Sequence, residues 1–282
     1  MPRFARAHPA LPPDDHVHSE FSWDTGPQAS MHQACARAVQ LGIPAVSFTE
    51  HIDFVAWSSG DLALVAGQRP RARGYYQPVD VPAYLASISR CREDFPTLRV
   101  RAGIETGEPH LFPASVAGVL AQGDFQRVLG SLHSVVRHDE LVGVGRVLAA
   151  EHPHAVVREY FVDLLAMVNA SGVFEVLAHC DFPRRYWPRG AGSYDEADYE
   201  DEYRAVFTAL AASGRVLEIN TTSPLASVQQ LLWWREAGGR AVSFGSDAHV
   251  PWNVGQGFDL AVDVVTAAGF RPGRDPADFY RR

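Results

Sequence analysis

The stretch AVSFGSDAH, Ala241 to His249, sets the reading of the chain: an apolar run that ends abruptly in Asp247-Ala248-His249. Short apolar runs bounded by polar signals predict buried strands. Working outward, the same pattern recurs. PAVSFTEH (Pro44 to His51) ends in His51, Leu98 to Glu105 in Glu105, Arg127 to His133 in His133, and Val173 to His179 in His179. The polar-tipped His16-Val17-His18 comes first, and Val216 to Asn220 is the sixth run. Helical stretches separate these runs: Ser30 to Leu41 with Gly42 beyond it, Val81 to Phe95, about His154 to Ser171, one ending near Ser213 with Gly214 as its stop, about Pro224 to Ala237, and about Leu260 to Ala268. Ser before a helix and Gly after it are start and stop signals. Seven runs alternating with helices predict parallel strands joined by crossover helices. Barrel enzymes build their sites at the carboxyl ends of strands, where most of these runs carry His, Asp or Glu, so a barrel is favoured over an open sheet.

The chain has 282 residues, 46% hydrophobic and 21% charged, which suits one large α/β domain with a substantial core. The division expected is an N-terminal extension over 1–13, which need not be ordered, and one barrel domain over 14–282. Formal net charge is −8, and no basic run appears, so long nucleic acid is not an expected partner. A small substrate fits better. Cys35, Cys91 and Cys180 are odd in number and far apart. They argue against a disulfide framework and for a reducing, cytoplasmic setting. There is no apolar run of signal-peptide or membrane-span length.

The strand ends supply nine candidate metal ligands. His16 and His18 are alternate residues and reach the same side of an extended chain. Asp24 follows in the next loop. His51, Glu105, His133 and His179 end successive strands, and Asp247 and His249 again alternate. A lone His at a strand end is more often an ordinary core or surface side chain. Seven positions in register change that balance, whereas His8, His32, His110, His138, His152 and His154 scatter and are read as ordinary side chains. Imidazoles and carboxylates without thiolate suit Zn, Mn or Fe, and nine ligands with one bridging carboxylate suit three divalent ions. Trp233-Trp234 lies in a helical stretch and is read as helix-to-barrel packing. No G-x-G-x-x-G dinucleotide fingerprint occurs.

The stretches DDHVHSEFSWD (Asp14 to Asp24), SFTEHIDF (Ser47 to Phe54), GIETGE (Gly103 to Glu108), GSLHSV (Gly130 to Val135), VLAHCDFPRRY (Val176 to Tyr186), LEINTT (Leu217 to Thr222) and SFGSDAHVPWNVG (Ser243 to Gly255) together resemble the PHP superfamily, and within it the histidinol-phosphate phosphatase branch. The resemblance implies a single-domain α/β fold, a distorted (β/α)7 barrel of PHP type, with a trinuclear metal site. It implies one ion on His16, His18, Glu105 and Asp247, with Glu105 bridging to a second on His133 and His179. Asp24, His51 and His249 would hold the third. Many relatives carry His where this chain has Asp24, and a carboxylate there suits a harder ion such as Mn or Fe.

The chemistry expected is direct in-line attack on a phosphate monoester, most simply L-histidinol phosphate, by a metal-activated hydroxide. Glu105, Asp247 and His249 are the candidate catalytic residues, the last two also as proton relays. Arg184 and Arg185 follow the fifth strand and are candidates to grip phosphate, since a guanidinium can hold two of its oxygens. Glu20, Asn220 and Asn253 are further candidate contacts or ligand supports. The irregular segment Ala56 to Pro78, with Arg69, Arg71 and Arg73, is a candidate clamp. The connection after LEINTT is shorter than the branch usually has, because Ser223-Pro224-Leu225 leads almost at once into the next helix. That leaves substrate choice open, and the alternative is a PHP phosphodiesterase or exonuclease acting on short oligonucleotides or nucleotide phosphates. A non-catalytic metal-binding module is disfavoured because no ligand of the set is missing.

Overall fold

A computed structural model describes residues 11–54, 79–222 and 224–282. Its elements run β1 (Asp14–Val17), α1 (Met31–Leu41), β2 (Ala45–Ile52), α2 (Val81–Asp94), β3 (Arg99–Gly107), α3 (Pro113–Leu120), β4 (Arg127–Ser131), β5 (Ser134–Arg137), β6 (Glu140–Gly143), α4 (Val144–Ala150), α5 (Pro153–Ala170), β7 (Val176–Leu177), α6 (Glu200–Ala212), β8 (Val216–Asn220), α7 (Val228–Glu236), β9 (Ala241–Gly245), α8 (Phe258–Ala267) and β10 (Tyr280–Arg281). The candidate clamp at 56–78 lies outside the described residues.

The main sheet has the order β1-β2-β3-β4-β7-β8-β9-β10, with every pairing parallel except β9 with β10. Sequence order is thus kept across seven parallel strands. The ends meet at the carboxyl rim, where Asp247 N–H donates to His16 O and His18 N–H to Ala248 O, both at 2.8 Å. That junction closes the strands into a distorted (β/α)7 barrel. It also sets the Asp247 and His249 segment beside the His16 and His18 segment.

Local chemistry explains the element ends. Ser30 Oγ accepts from Gln33 N–H at the start of α1, and Gly42 stops it in the left-handed region (φ +72°). Gly214 plays the same role after α6 (φ +75°). The helix expected from Pro224 begins only at Val228. There Ser227 and Gln230 form a reciprocal capping box. The fifth run is in strand pairing only at Val176–Leu177, although the chain reaches His179 at the same rim. The hairpin β5–β6, helices α3 and α4, and β10 were not foreseen.

Trp233 and Trp234 pack as expected of a helix face, with Trp234 Nε1 donating to Ala241 O at 3.1 Å. At the opposite, amino end the barrel is plugged by charge. Buried Asp15 accepts from Ser47 Oγ (2.7 Å), Arg101 Nη1 (2.9 Å), Arg127 Nη2 (3.3 Å) and Ser243 Oγ (3.2 Å). The C-terminal segment closes beneath it: Arg101 Nη2 donates to Ala277 O at 2.5 Å, and Arg127 Cζ lies 4.2 Å from the Phe279 ring centre.

Removing one partner of a buried ion pair strands the other charge, at a cost of about 3–5 kcal/mol. Asp15→Ala is therefore expected to lower unfolding stability in urea by that order. A loss below about 1 kcal/mol, the scale of an exposed pair, would contradict the plug.

Candidate metal centre

Each candidate ligand reaches the carboxyl rim for a local reason. His51 and Glu105 are register partners on β2 and β3 and stand side by side. His133 and His179 lie just past β4 and β7, and Asp247 and His249 just past β9. His179 and Asp247 take positive φ (+22° and +52°), strained backbone of the kind found at functional sites. All nine converge. His16 Nε2 lies 3.1 Å from His18 Nε2, 3.2 Å from Glu105 Oε2 and 3.7 Å from Asp247 Oδ1. His18 Nε2 lies 3.4 and 3.5 Å from the same two carboxylates. Glu105 Oε1 faces His179 Nε2 at 2.8 Å and His133 Nε2 at 3.3 Å, and those two nitrogens are 3.4 Å apart. Asp24 Oδ2 lies 2.8 Å from His249 Nε2 and 3.4 Å from His51 Nε2.

A second layer, which sequence reasoning did not single out, sits behind the imidazoles. Glu218 Oε1 accepts from His16 Nδ1 at 2.6 Å. Ser22 Oγ accepts from His18 Nδ1 at 3.0 Å while donating to Glu50 Oε2 at 2.6 Å. Asp53 Oδ1 lies 3.3 Å from His133 Nδ1, and the Asp247 carbonyl 2.9 Å from His249 Nδ1. These acceptors hold the protons of His16, His18, His133 and His249 on the outer Nδ1. The inner Nε2 atoms then present lone pairs to one another and to three carboxylates. Electron-rich atoms at such range repel unless a proton or a metal cation lies among them. The spacings match a shared ion, since metal–ligand bonds of 2.0–2.2 Å put neighbouring ligands about 3.0 Å apart in octahedral and about 3.4 Å in tetrahedral sites. Asp24 Oδ1 and His179 Nδ1 are buried without hydrogen-bond partners among the described residues. The residues present therefore fit bound divalent metal.

The model of the PHP domain matches residues 14–222. The chain belongs to the PHP domain family. Among curated members of the family, it is 25% identical over 265 residues to the histidinol-phosphatase of Lactococcus lactis, covering 91% of each protein. It is 26% identical over 276 residues to a protein of Deinococcus radiodurans named "Probable histidinol-phosphatase", covering 92% of this chain and 94% of the other. A crystal structure of the L. lactis histidinol phosphate phosphatase, complexed with Zn, L-histidinol and phosphate, superposes with a TM-score of 0.78 at 22% identity, over 93% of this chain and 95% of that one. No described helix is long and apolar enough to cross a membrane.

This PHP domain has a cavity at the same rim as the candidate ligands. A cavity of about 220 Å³ is lined by Asp24, Glu105, Asp247 and four of the imidazoles, with Trp23, Phe182, Arg185 and Asn253 among its other walls. Arg185 Nη2 donates to Asp247 Oδ2 at 2.7 Å. Arg184, Glu20 and Asn220, three other expected contacts, do not line this cavity. Arg184 turns away from the cavity to Asp181 Oδ2 (3.3 Å) and Leu225 O (3.4 Å). Glu20 Oε2 accepts from Met31 N–H at 2.6 Å, so its charge is used at the start of α1. Asn220 lies beneath the cavity floor, with Nδ2 3.3 Å from both Glu218 Oε2 and Asp247 Oδ2. Glu218 could have been found by its alternation with Asn220. Asp53 could have been found by its alternation with His51, which it also approaches at 3.4 Å.

Electrostatics in the metal-free chain follow from this crowding. Burial pushes His16, His51, His133 and His249 down, but neighbouring carboxylates overcome it, whereas at His179 burial prevails and the imidazole is lowered. His16 and His133 are held well above the ordinary range, and His51 is raised to about 9 by Asp24 and Glu105. Burial acts upward on Glu105 and Asp247, yet the imidazoles around Glu105, and Arg185 with His16 around Asp247, hold both well below the usual carboxylate range. A raised imidazole stabilises the fold below its unfolded value and loses that contribution as pH climbs through the folded one. Metal-free protein is thus expected to lose stability between pH about 6.5 and 9, while metal affinity rises over the same window as ligand protons become easier to displace. Thermal melts with and without chelator across that range check both signs. Metal-free stability that rises with pH there would contradict the geometry.

Proposed function

We propose that this chain is a phosphatase that uses divalent metal to hydrolyse a small phosphate monoester, L-histidinol phosphate. The observation that carries the reading is the convergence of six imidazoles and three carboxylates at one rim, where four of the imidazoles and all three carboxylates line one small cavity. The full-length similarity to histidinol-phosphatases supports the choice of substrate. The first ion would be held by His16, His18, Asp247 and Glu105, the second by Glu105, His133 and His179, and the third by Asp24, His51 and His249. Mn, Fe or Zn suits these donors.

Bound divalent ions would neutralise the phosphate dianion and supply an activated water. The chain's own residues do the rest. Arg185, anchored on Asp247, presents its guanidinium to the cavity and would fix a phosphoryl oxygen. Trp23 and Phe182 wall the site and exclude bulk water, which strengthens every charge interaction inside. Trp23 is itself fixed by donation from Nε1 to Asp53 Oδ2 at 2.9 Å. His249, with its side chain 23% exposed, is the imidazole of the set best placed to pass protons to solvent. Asp247 carries both Arg185 and a metal-facing oxygen, so it couples phosphate binding to the ligand set.

The cavity is smaller than the roughly 300–1,000 Å³ of sites for drug-sized ligands. With the acidic chain, this favours a monoester over a nucleic-acid phosphodiester. A phosphate-release screen with Mn or Zn added should give the highest kcat/KM on histidinol phosphate among nucleoside monophosphates, an aryl phosphate and an aryl bis-phosphodiester. Preferential cleavage of the diester would overturn the monoesterase reading. Arg185→Ala is expected to cut kcat/KM by about 10²–10³-fold, the cost of removing one fixed donor to developing charge. An effect under tenfold would remove Arg185 from phosphate binding. Metal analysis should find close to three ions per chain.

A further inference from the structure

We propose that Glu218 is a positioning residue that sets the metal affinity of two sites at once. This rests on the functional reading above and adds a residue to it. Glu218 sits on β8 and is buried at the barrel axis. Oε1 takes the Nδ1 proton of His16 at 2.6 Å, and Oε2 takes the backbone N–H of His179 at 2.7 Å. His16 belongs to β1 and to the first ligand group. His179 follows β7 and belongs to the second. One carboxylate therefore fixes the tautomer of one ligand and the main chain of another. The second bond holds His179 in its positive-φ conformation, which a non-glycine residue keeps only when its surroundings impose it. Asn220 Nδ2 approaches Glu218 Oε2 at 3.3 Å from the same strand face.

An independent feature points the same way. Gly245, the register partner of Asn220 on β9, lies against this pair. A methyl group there would overlap Glu218 Oε1 and His16 Cβ. The barrel wall is thus notched at the place where the Glu218–His16 contact needs room. Glu218 is not among the residues lining the cavity, so it would act through His16 and His179 and not on substrate.

Glu218→Gln keeps the shape but offers one carbonyl oxygen where two acceptors are needed, and its NH2 faces a donor. Titration of chelator-treated protein with Zn²⁺, followed calorimetrically, should show the variant about 10–100-fold weaker in part of its metal stoichiometry, the usual cost of losing a residue that orients a ligand. If parent and variant bind Zn²⁺ with equal affinity and number, the proposal is overturned while the phosphatase reading stands. A parent that binds no Zn²⁺ would overturn both. Nitrogen-15 spectra of the unaltered, Zn²⁺-loaded protein give a second test that does not depend on the variant folding. They should show His16 protonated at Nδ1 with Nε2 as the metal-bound nitrogen. A proton on Nε2 instead would overturn the role given to Glu218.

Discussion

Lone pairs on imidazole nitrogens and negative carboxylate oxygens face one another at the carboxyl rim across gaps of 2.8 to 3.7 Å. No apolar packing explains such an arrangement, and without protons or metal among its atoms it is repulsive. Cations among these atoms turn repulsion into coordination, and much of the upper half of the molecule serves to keep the atoms in place. The closing hydrogen bonds between the β1 and β9 segments bring four of the nine donors together. Glu218, Asp53 and the Ser22–Glu50 pair hold imidazole protons on the outer side. Positive φ at His179 and Asp247 shapes the backbone that carries those two side chains.

The two ends of the barrel handle buried charge in opposite ways. At the amino end, Asp15 meets two arginines and two hydroxyls, so its acceptors are filled by protein donors and no ligand is needed. At the carboxyl end the anionic and lone-pair groups outnumber the protein donors that face them, and Arg185 on Asp247 offsets only part of the excess. A filled network supports the fold, whereas an incomplete one calls for a ligand. The same difference separates stability from function along a single strand: Asp14 and Asp15 serve the closure and the plug, and His16 faces the cavity group.

The part of this that was legible in the sequence is the part governed by short-range rules. Apolar runs gave strands, Ser30 with Gly42 gave α1, and a polar residue at each strand end gave the rim. Alternation predicted that His16 with His18, and Asp247 with His249, would share a side. Three kinds of feature escaped. The local Ser227–Gln230 capping box, rather than the proline, sets the start of α7 at Val228. The long-range pairing of β10 with β9 leaves no local pattern, since Tyr280–Arg281 is only two residues long. The partners behind the ligands escaped because a buried Glu on a strand reads as an anomaly until His16 is seen across from it, 202 residues away. Arg184 and Arg185 show the limit most sharply. Adjacent arginines look alike in sequence, but one turn of 3-10 helix sends Arg185 to Asp247 and Arg184 to Asp181.

The most direct test of convergence is anomalous diffraction from metal-loaded crystals, collected on either side of the Zn or Mn edge. Peaks are expected within about 2.0–2.3 Å of the inner nitrogens of His16, His18, His133 and His179, with Glu105 shared between two of them. Strong peaks only on surface histidines such as His32 or His138, with none at the rim, would contradict it.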